Sequence, residues 1–171
     1  MSGRSGPSRP EGGEPQAPHA RGKDAPASAT ARPGASAHAD LQLAHDMESI
    51  RQAEQQLLDA VVRASFDEAS AFAIRLALEE ALYNAFRHGH KNLPHERVRL
   101  EWTVDPSEVR ITVTDKGPGF NPEGLPDPTS EERIELPHGR GVMLMRAYMS
   151  SVEFDSPGNR VRMVYRKPEG A

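Results

Sequence analysis

Glu80 and Asn84 stand four residues apart in a stretch with helical periodicity, so their side chains share one face, one turn apart. An asparagine carboxamide oxygen there is a ligand for Mg²⁺, a hard ion that takes oxygen donors and keeps several waters. A glutamate one turn earlier is placed to accept the proton of an attacking hydroxyl or water. Further along, Asp115-Lys-Gly-Pro-Gly119 follows an alternating apolar segment. Its carboxylate can accept a hydrogen bond from an exocyclic amino group such as adenine carries, and Gly117 and Gly119 permit the close backbone approach of a flat base. Gly139-Arg140-Gly141 opens another helical stretch, where backbone N–H groups and the helix macrodipole attract phosphate. His88 lies on the face of Glu80 and Asn84, in reach of the same phosphates or of a local hydrogen bond. Together these residues describe a magnesium-nucleotide site with a preference for adenine.

Two common phosphate cradles are excluded by spacing. Pro122 stands where a third Rossmann glycine would follow Gly117 and Gly119, Leu144 stands there after Gly139 and Gly141, and no Gly-Lys-Ser/Thr occurs. Taken singly, each feature also has a plain structural reading: solvated helix residues for Glu80 and Asn84, an ordinary turn for Asp115–Gly119, a flexible link for Gly139–Gly141. Their order along the chain and the element types that carry them favour the site. His88, His90 and His95 are close enough to share a zinc ion, but no carboxylate or cysteine nearby completes a four-ligand set.

The elements that must position these groups follow from periodicity. Leu41–Ala44 alternates as a short strand. Asp46 then caps a helix through Met47, Ile50, Ala53, Leu57 and Val61, ending near Ala64. Asp67 caps a second helix through Ala69, Phe72, Leu76 and Tyr83 to about His88, with Gly89 as a left-handed stop. Its stripe of Ala73, Ala77, Glu80, Asn84 and His88 sets polar residues beside core-sized alanines. Arg97–Val104 and Val109–Thr114 form a hairpin turning at Asp105–Ser107. Residues 115–137, with five prolines and three glycines, read as a long loop. A short helix over Gly141–Ser150, with Met143, Met145 and Met149 taken for core, precedes a last hairpin of Val152–Phe154 and Val161–Tyr165. This order predicts an α+β fold: a two-layer α/β sandwich, mostly antiparallel sheet with helices on one face.

The 171 residues suit one domain, expected over 41–171, behind a disordered Pro/Gly/Ser/Ala-rich tail over 1–40. Apolar residues make up 36 % of the chain, low for a globular domain of typically about 45 to 50 %, and the tail accounts for the deficit. A net charge of −4 without a Lys/Arg cluster argues against direct nucleic-acid binding. The absence of cysteine excludes disulfides and thiolate chemistry. With neither a long apolar run nor a charged-then-apolar leader, no membrane segment is expected and a cytoplasmic setting follows.

Leu78-Glu-Glu-Ala-Leu-Tyr-Asn-Ala85 with His88-Gly89, Asp115-x-Gly-x-Gly119 and Gly139-Arg-Gly-Val-Met-Leu-Met-Arg146 resemble the boxes of the GHKL (Bergerat-fold) ATPases, over about Leu41 to Arg166. Within that superfamily the chain looks most like the anti-sigma-factor serine kinases, which carry a histidine-kinase-like ATPase domain. The resemblance implies ATP and Mg²⁺ as cofactors, with Glu80 catalytic, Asn84 on the metal, and Asp115, Gly117, Gly119, Gly139 and Gly141 around the nucleotide. It also implies phosphate transfer to a serine of a small antagonist protein, alternate binding of a sigma factor, a homodimer, and an ATP lid over Phe120–His138. Two departures stand out. Pro137 and His138 replace the basic residue before the second glycine box, leaving the γ-phosphate contact to Arg140, Arg87 or His88. Gly158-Asn159-Arg160 stands where the family has Gly-Thr. Two other functions stay open: a nucleotide-gated binding module without turnover, and a stand-alone histidine-kinase catalytic domain. The latter needs a helical hairpin that the proline-rich tail cannot form.

Overall fold

In a computed structural model the residues described are 36–89, 95–119 and 140–168. Five strands, β1 (Ala37–Leu43), β2 (Val98–Val104), β3 (Glu108–Thr114), β4 (Ser151–Phe154) and β5 (Arg160–Arg166), form one sheet in the order β1-β2-β3-β5-β4. Every neighbouring pair is antiparallel. Helices α1 (Met47–Arg63), α2 (Glu68–Asn84) and α3 (Gly141–Tyr148) pack on it, as the α+β sandwich expectation required.

Period-two alternation decides which side of each strand meets the helices. Leu100 and Trp102 of β2, Ile111 and Val113 of β3, and Met163 of β5 are buried, while Arg99, Arg110 and Arg162 between them are exposed. The outer face carries ion pairs: Arg99 bridges Asp40 at 2.7 Å and Glu101 at 3.1 Å, and Arg162 pairs with Asp155. Exposed pairs of this kind contribute only about 0 to 1 kcal/mol each, so the sheet's stability rests on the apolar side.

Both helix caps form as read. The Asp46 carboxylate accepts the Ser49 N–H and the Asp67 carboxylate the Ser70 N–H, each at 2.7 Å. The hydroxyl of Tyr165 donates to Ser70 Oγ at 2.8 Å, joining the start of α2 to β5 and satisfying a fully buried polar side chain.

Four expectations change. The first strand starts at Ala37, upstream of the Leu41 read from sequence, because Ala37–Asp40 pairs with Glu101–Val104; the ladder, invisible to local alternation, recruits residues assigned to the tail. The rest of the expected tail lies outside the described residues. Met47 is 63 % and Met143 39 % exposed, so neither is core; each sits on the outer side of its helix. On α2 the buried apolar residues are Ala73, Ile74, Ala77, Leu78, Ala81 and Leu82, whereas Phe72 and Tyr83 face outward. Gly89 is not left-handed: α2 runs into one π-helical turn, Ala85–Gly89, and the only described glycines with positive φ are Gly119 and Gly158.

Leu78 is 1 % exposed in the centre of α2. Leu78→Ala is expected to destabilise the domain by about 2 to 5 kcal/mol, the usual cost of a truncation that leaves a cavity, as measured by urea unfolding.

Candidate functional site

The site forms where the C-terminal end of α2 meets the ends of β3 and β5 and the first turn of α3. Small residues make the meeting possible. Ala73, Ala77 and Ala81 line the buried part of α2 and let α3 lie close against it. At Gly141 the approach is so close that an added Cβ would stand 2.5 Å from Glu80 Oε2 and 3.4 Å from Asn84 Nδ2. The first turn of α3, whose backbone N–H groups have no partner within the helix itself, therefore sits directly over the Glu80–Asn84 pair.

A second close approach involves the π turn. Its extra residue per turn carries His88 and Gly89 toward the end of β3. A Cβ on Gly89 would overlap the Asp115 carboxyl group, and a Cβ on Gly117 would overlap the carbonyl of Gly89. Asp115 Oδ1 accepts the Gly117 N–H at 2.7 Å, folding the carboxylate back over its own loop. At the third approach Gly119, with φ +76°, lies against the carbonyl of Pro157 in the β4–β5 turn.

Between these contacts runs a cleft open to solvent. Asn84, His88, Asp115 and Gly119 line it, with an apolar floor from Ala81, Ala85, Val113, Met145, Phe154 and Val161. Glu80, Gly117 and Gly141 adjoin it through the contacts above. Arg140 is exposed immediately before α3. Gly139 and the expected lid lie outside the described residues. Among the described residues, which include His88 and His95 but not His90, no group of three His, Asp or Glu is placed to hold a metal ion.

Sequence reading missed three contributors. Gly89 was visible as a glycine but was taken for a helix stop. Asn159, noted only as a departure, lines the cleft and accepts the Asp115 N–H on its carbonyl at 2.9 Å. The apolar floor had no separate signal, because alternation tells inward from outward and not which end of the sheet a residue reaches.

Half-burial raises the pKa of the Glu80 carboxyl above its ordinary 4.5, and the neighbouring Glu79 carboxylate raises it further. A base so placed holds a proton more readily than a solvated glutamate.

A histidine kinase-like ATPase domain matches residues 43–165. The chain belongs to that family. It is 33 % identical over 97 residues to an anti-sigma F factor of Clostridium beijerinckii, a stretch covering 55 % of this chain and 68 % of that protein. It is 31 % identical over 94 residues to an anti-sigma F factor of Oceanobacillus iheyensis, covering 54 % and 64 %. With a third from a Geobacillus species the figures are 31 % over 96 residues, 55 % and 66 %, so the matches span about two thirds of these relatives. The residues of this histidine kinase-like ATPase domain fit a nucleotide. The floor is apolar, and Asn84, His88 and Asp115 stand along the lining as polar groups.

Two outcomes follow. Gly119→Ala forces a side chain into the left-handed region and onto the Pro157 carbonyl, and is expected to cost the domain about 1 to 3 kcal/mol in urea unfolding. Glu80 has the opposite sign from a stabilising carboxylate. With its folded pKa above the unfolded one, the native state holds more protons between the two, and stability falls as pH rises through that window. Glu80→Gln should therefore melt at or above the parent at pH 7, by up to about 1 kcal/mol for a half-exposed group. That advantage should vanish below about pH 4, as melting temperatures against pH will show.

Proposed function

We propose that the chain binds ATP with Mg²⁺ in this cleft and acts as an anti-sigma-factor-type regulator and protein-serine kinase that phosphorylates a small antagonist protein. The observation that carries the proposal is the position of Glu80 and Asn84, held one turn apart directly beneath the first turn of α3, with the Glu80 carboxyl raised in pKa. The names of the relatives support the regulatory setting and a sigma factor as the alternate partner; a homodimer as the assembly and the cytoplasm as the place of action complete the proposal.

Each side chain has a task in this reading. Asp115, set by its Gly117 contact, accepts from the exocyclic amino group of adenine and so orients the base over the apolar floor. The Asn84 carboxamide oxygen holds Mg²⁺, and the backbone N–H groups at Gly139–Gly141 receive phosphate oxygens. Arg140, immediately before α3, supplies positive charge at the phosphate end, and His88, which lines the cleft from the π turn, supplies a hydrogen-bond donor to the nucleotide. Glu80 accepts the proton of the serine hydroxyl as it attacks, and its raised pKa increases its basicity. Bound Mg-ATP supplies the electrophilic phosphoryl group.

A second reading, nucleotide-gated binding without turnover, draws on Pro137 and His138 in place of a basic residue before Gly139. Incubation with labelled Mg-ATP and host lysate separates them. The kinase reading expects an acid-stable phosphoprotein whose formation falls by roughly 10²- to 10⁴-fold in Glu80→Ala, with ATP binding retained. ATP binding without a labelled protein selects the binding module, and an acid-labile product selects histidine-kinase chemistry.

A further inference from the structure

The hydrogen-bonded ladder between β3 and β5 ends at the pair Thr114–Arg160, yet one residue, Asn159, carries it past that end. Its carbonyl accepts the Asp115 N–H at 2.9 Å, as the next rung would. Beyond it the two backbones diverge: the β5 side enters the turn through Gly158, with φ +93°, and the β3 side bends into Gly117–Gly119. Where no backbone donor follows, the Asn159 carboxamide takes over, its Nδ2 reaching the Gly117 carbonyl at 3.4 Å. An asparagine side chain reproduces a peptide group, which is why it serves at such a break where an apolar or acidic side chain cannot. The Asn159 N–H would also lie only 3.1 Å from a Cβ on Gly119, so the turn is seated against the whole loop.

We infer that Asn159 is a positioning residue for base recognition: gripping the loop at Asp115 and Gly117, it fixes the Asp115 carboxylate in the cleft and thereby sets the preference for adenine over guanine. The inference rests on the nucleotide-binding reading above. A correctly placed carboxylate accepts from the amino group on adenine and repels the carbonyl oxygen that guanine presents at the same position. A carboxylate free to swing loses both the attraction and the discrimination.

The test compares the parent, Asn159→Asp and Asn159→Gln in titrations with ATP and with GTP, alongside amide hydrogen exchange of the nucleotide-free proteins. Asn159→Asp keeps size and backbone but turns the donor into an acceptor facing the Gly117 carbonyl; Asn159→Gln retains the donor. The expected result is that Asn159→Asp weakens ATP binding by about 5- to 20-fold, the worth of one to two polar contacts. GTP binding should change little, so that the ATP-to-GTP ratio collapses, and Asn159→Gln should recover part of it. In the free protein, protection of the Gly117 amide should fall in Asn159→Asp while that of Thr112, inside β3, holds. An ATP-to-GTP ratio within twofold of the parent in Asn159→Asp would overturn the inference. So would loss of protection across the whole of β3, which marks a merely structural residue. If the parent bound neither nucleotide, the nucleotide reading would fall with its dependent specificity role, and unchanged Gly117 exchange would separately remove the bracing role.

Discussion

Three places where backbone meets backbone or a polar side chain without an intervening Cβ hold this site together. Gly89 lies on the Asp115 carboxyl group, Gly117 on Gly89, and Gly141 on Glu80. Each glycine is required by contact rather than by turn type. A side chain at Gly117 would meet the Gly89 backbone and push the end of α2 from the end of β3, whereas at Gly89 and Gly141 it would displace the Asp115 and Glu80 carboxyl groups themselves. The polar groups of the cleft would separate with them. Because packed elements resist continuous deformation, such a wedge has to be absorbed by the loops that carry function.

Helix α2 does two jobs that ordinarily conflict. One side buries Ile74, Leu78 and Leu82, and beside it the small residues Ala73, Ala77 and Ala81 admit α3. The same flank continues as Glu80 and Asn84, polar groups brought beside the core as the helix nears its end. Half-burial is what raises the Glu80 carboxyl, so the proximity to the core that costs stability is also what gives the carboxylate its basicity. The π turn then redirects the chain, placing Gly89 where continued α-helix would have put a different residue.

Sheet order contributes the other half of the site. Because β5 pairs with β3 and β4 lies outside it, the β4–β5 turn arrives beside the end of β3. Asn159 and Gly117, 42 residues apart in sequence, meet there. A simple meander with β4 next to β3 would put the turn at the other edge and leave Asp115 unbraced. The ion pairs of the outer face, among them Asp40–Arg99–Glu101, tie β1 to β2 far from the cleft and bear on the sheet rather than on recognition.

By itself the sequence determined the element types and the caps at Asp46 and Asp67, and it named the residues proposed here for magnesium and nucleotide. Those follow from local rules: helical and strand periods, the short reach of a capping carboxylate, and the oxygen donors that particular side chains carry. It also placed Glu80 and Asn84 on one face, since four residues span about one helical turn. What it could not supply was anything decided by a partner distant along the chain. Ala37–Asp40 became strand because β2 offered a ladder, Met47 and Met143 fell outside the core because no described element covers them, and Gly89 proved to be a contact residue rather than a helix stop. Asn159, which reads as a mere departure from a motif, acquired its place because β5 lies beside β3. Pairing and close packing depend on the positions of both surfaces at once, and a period read along one segment carries information about only one of them.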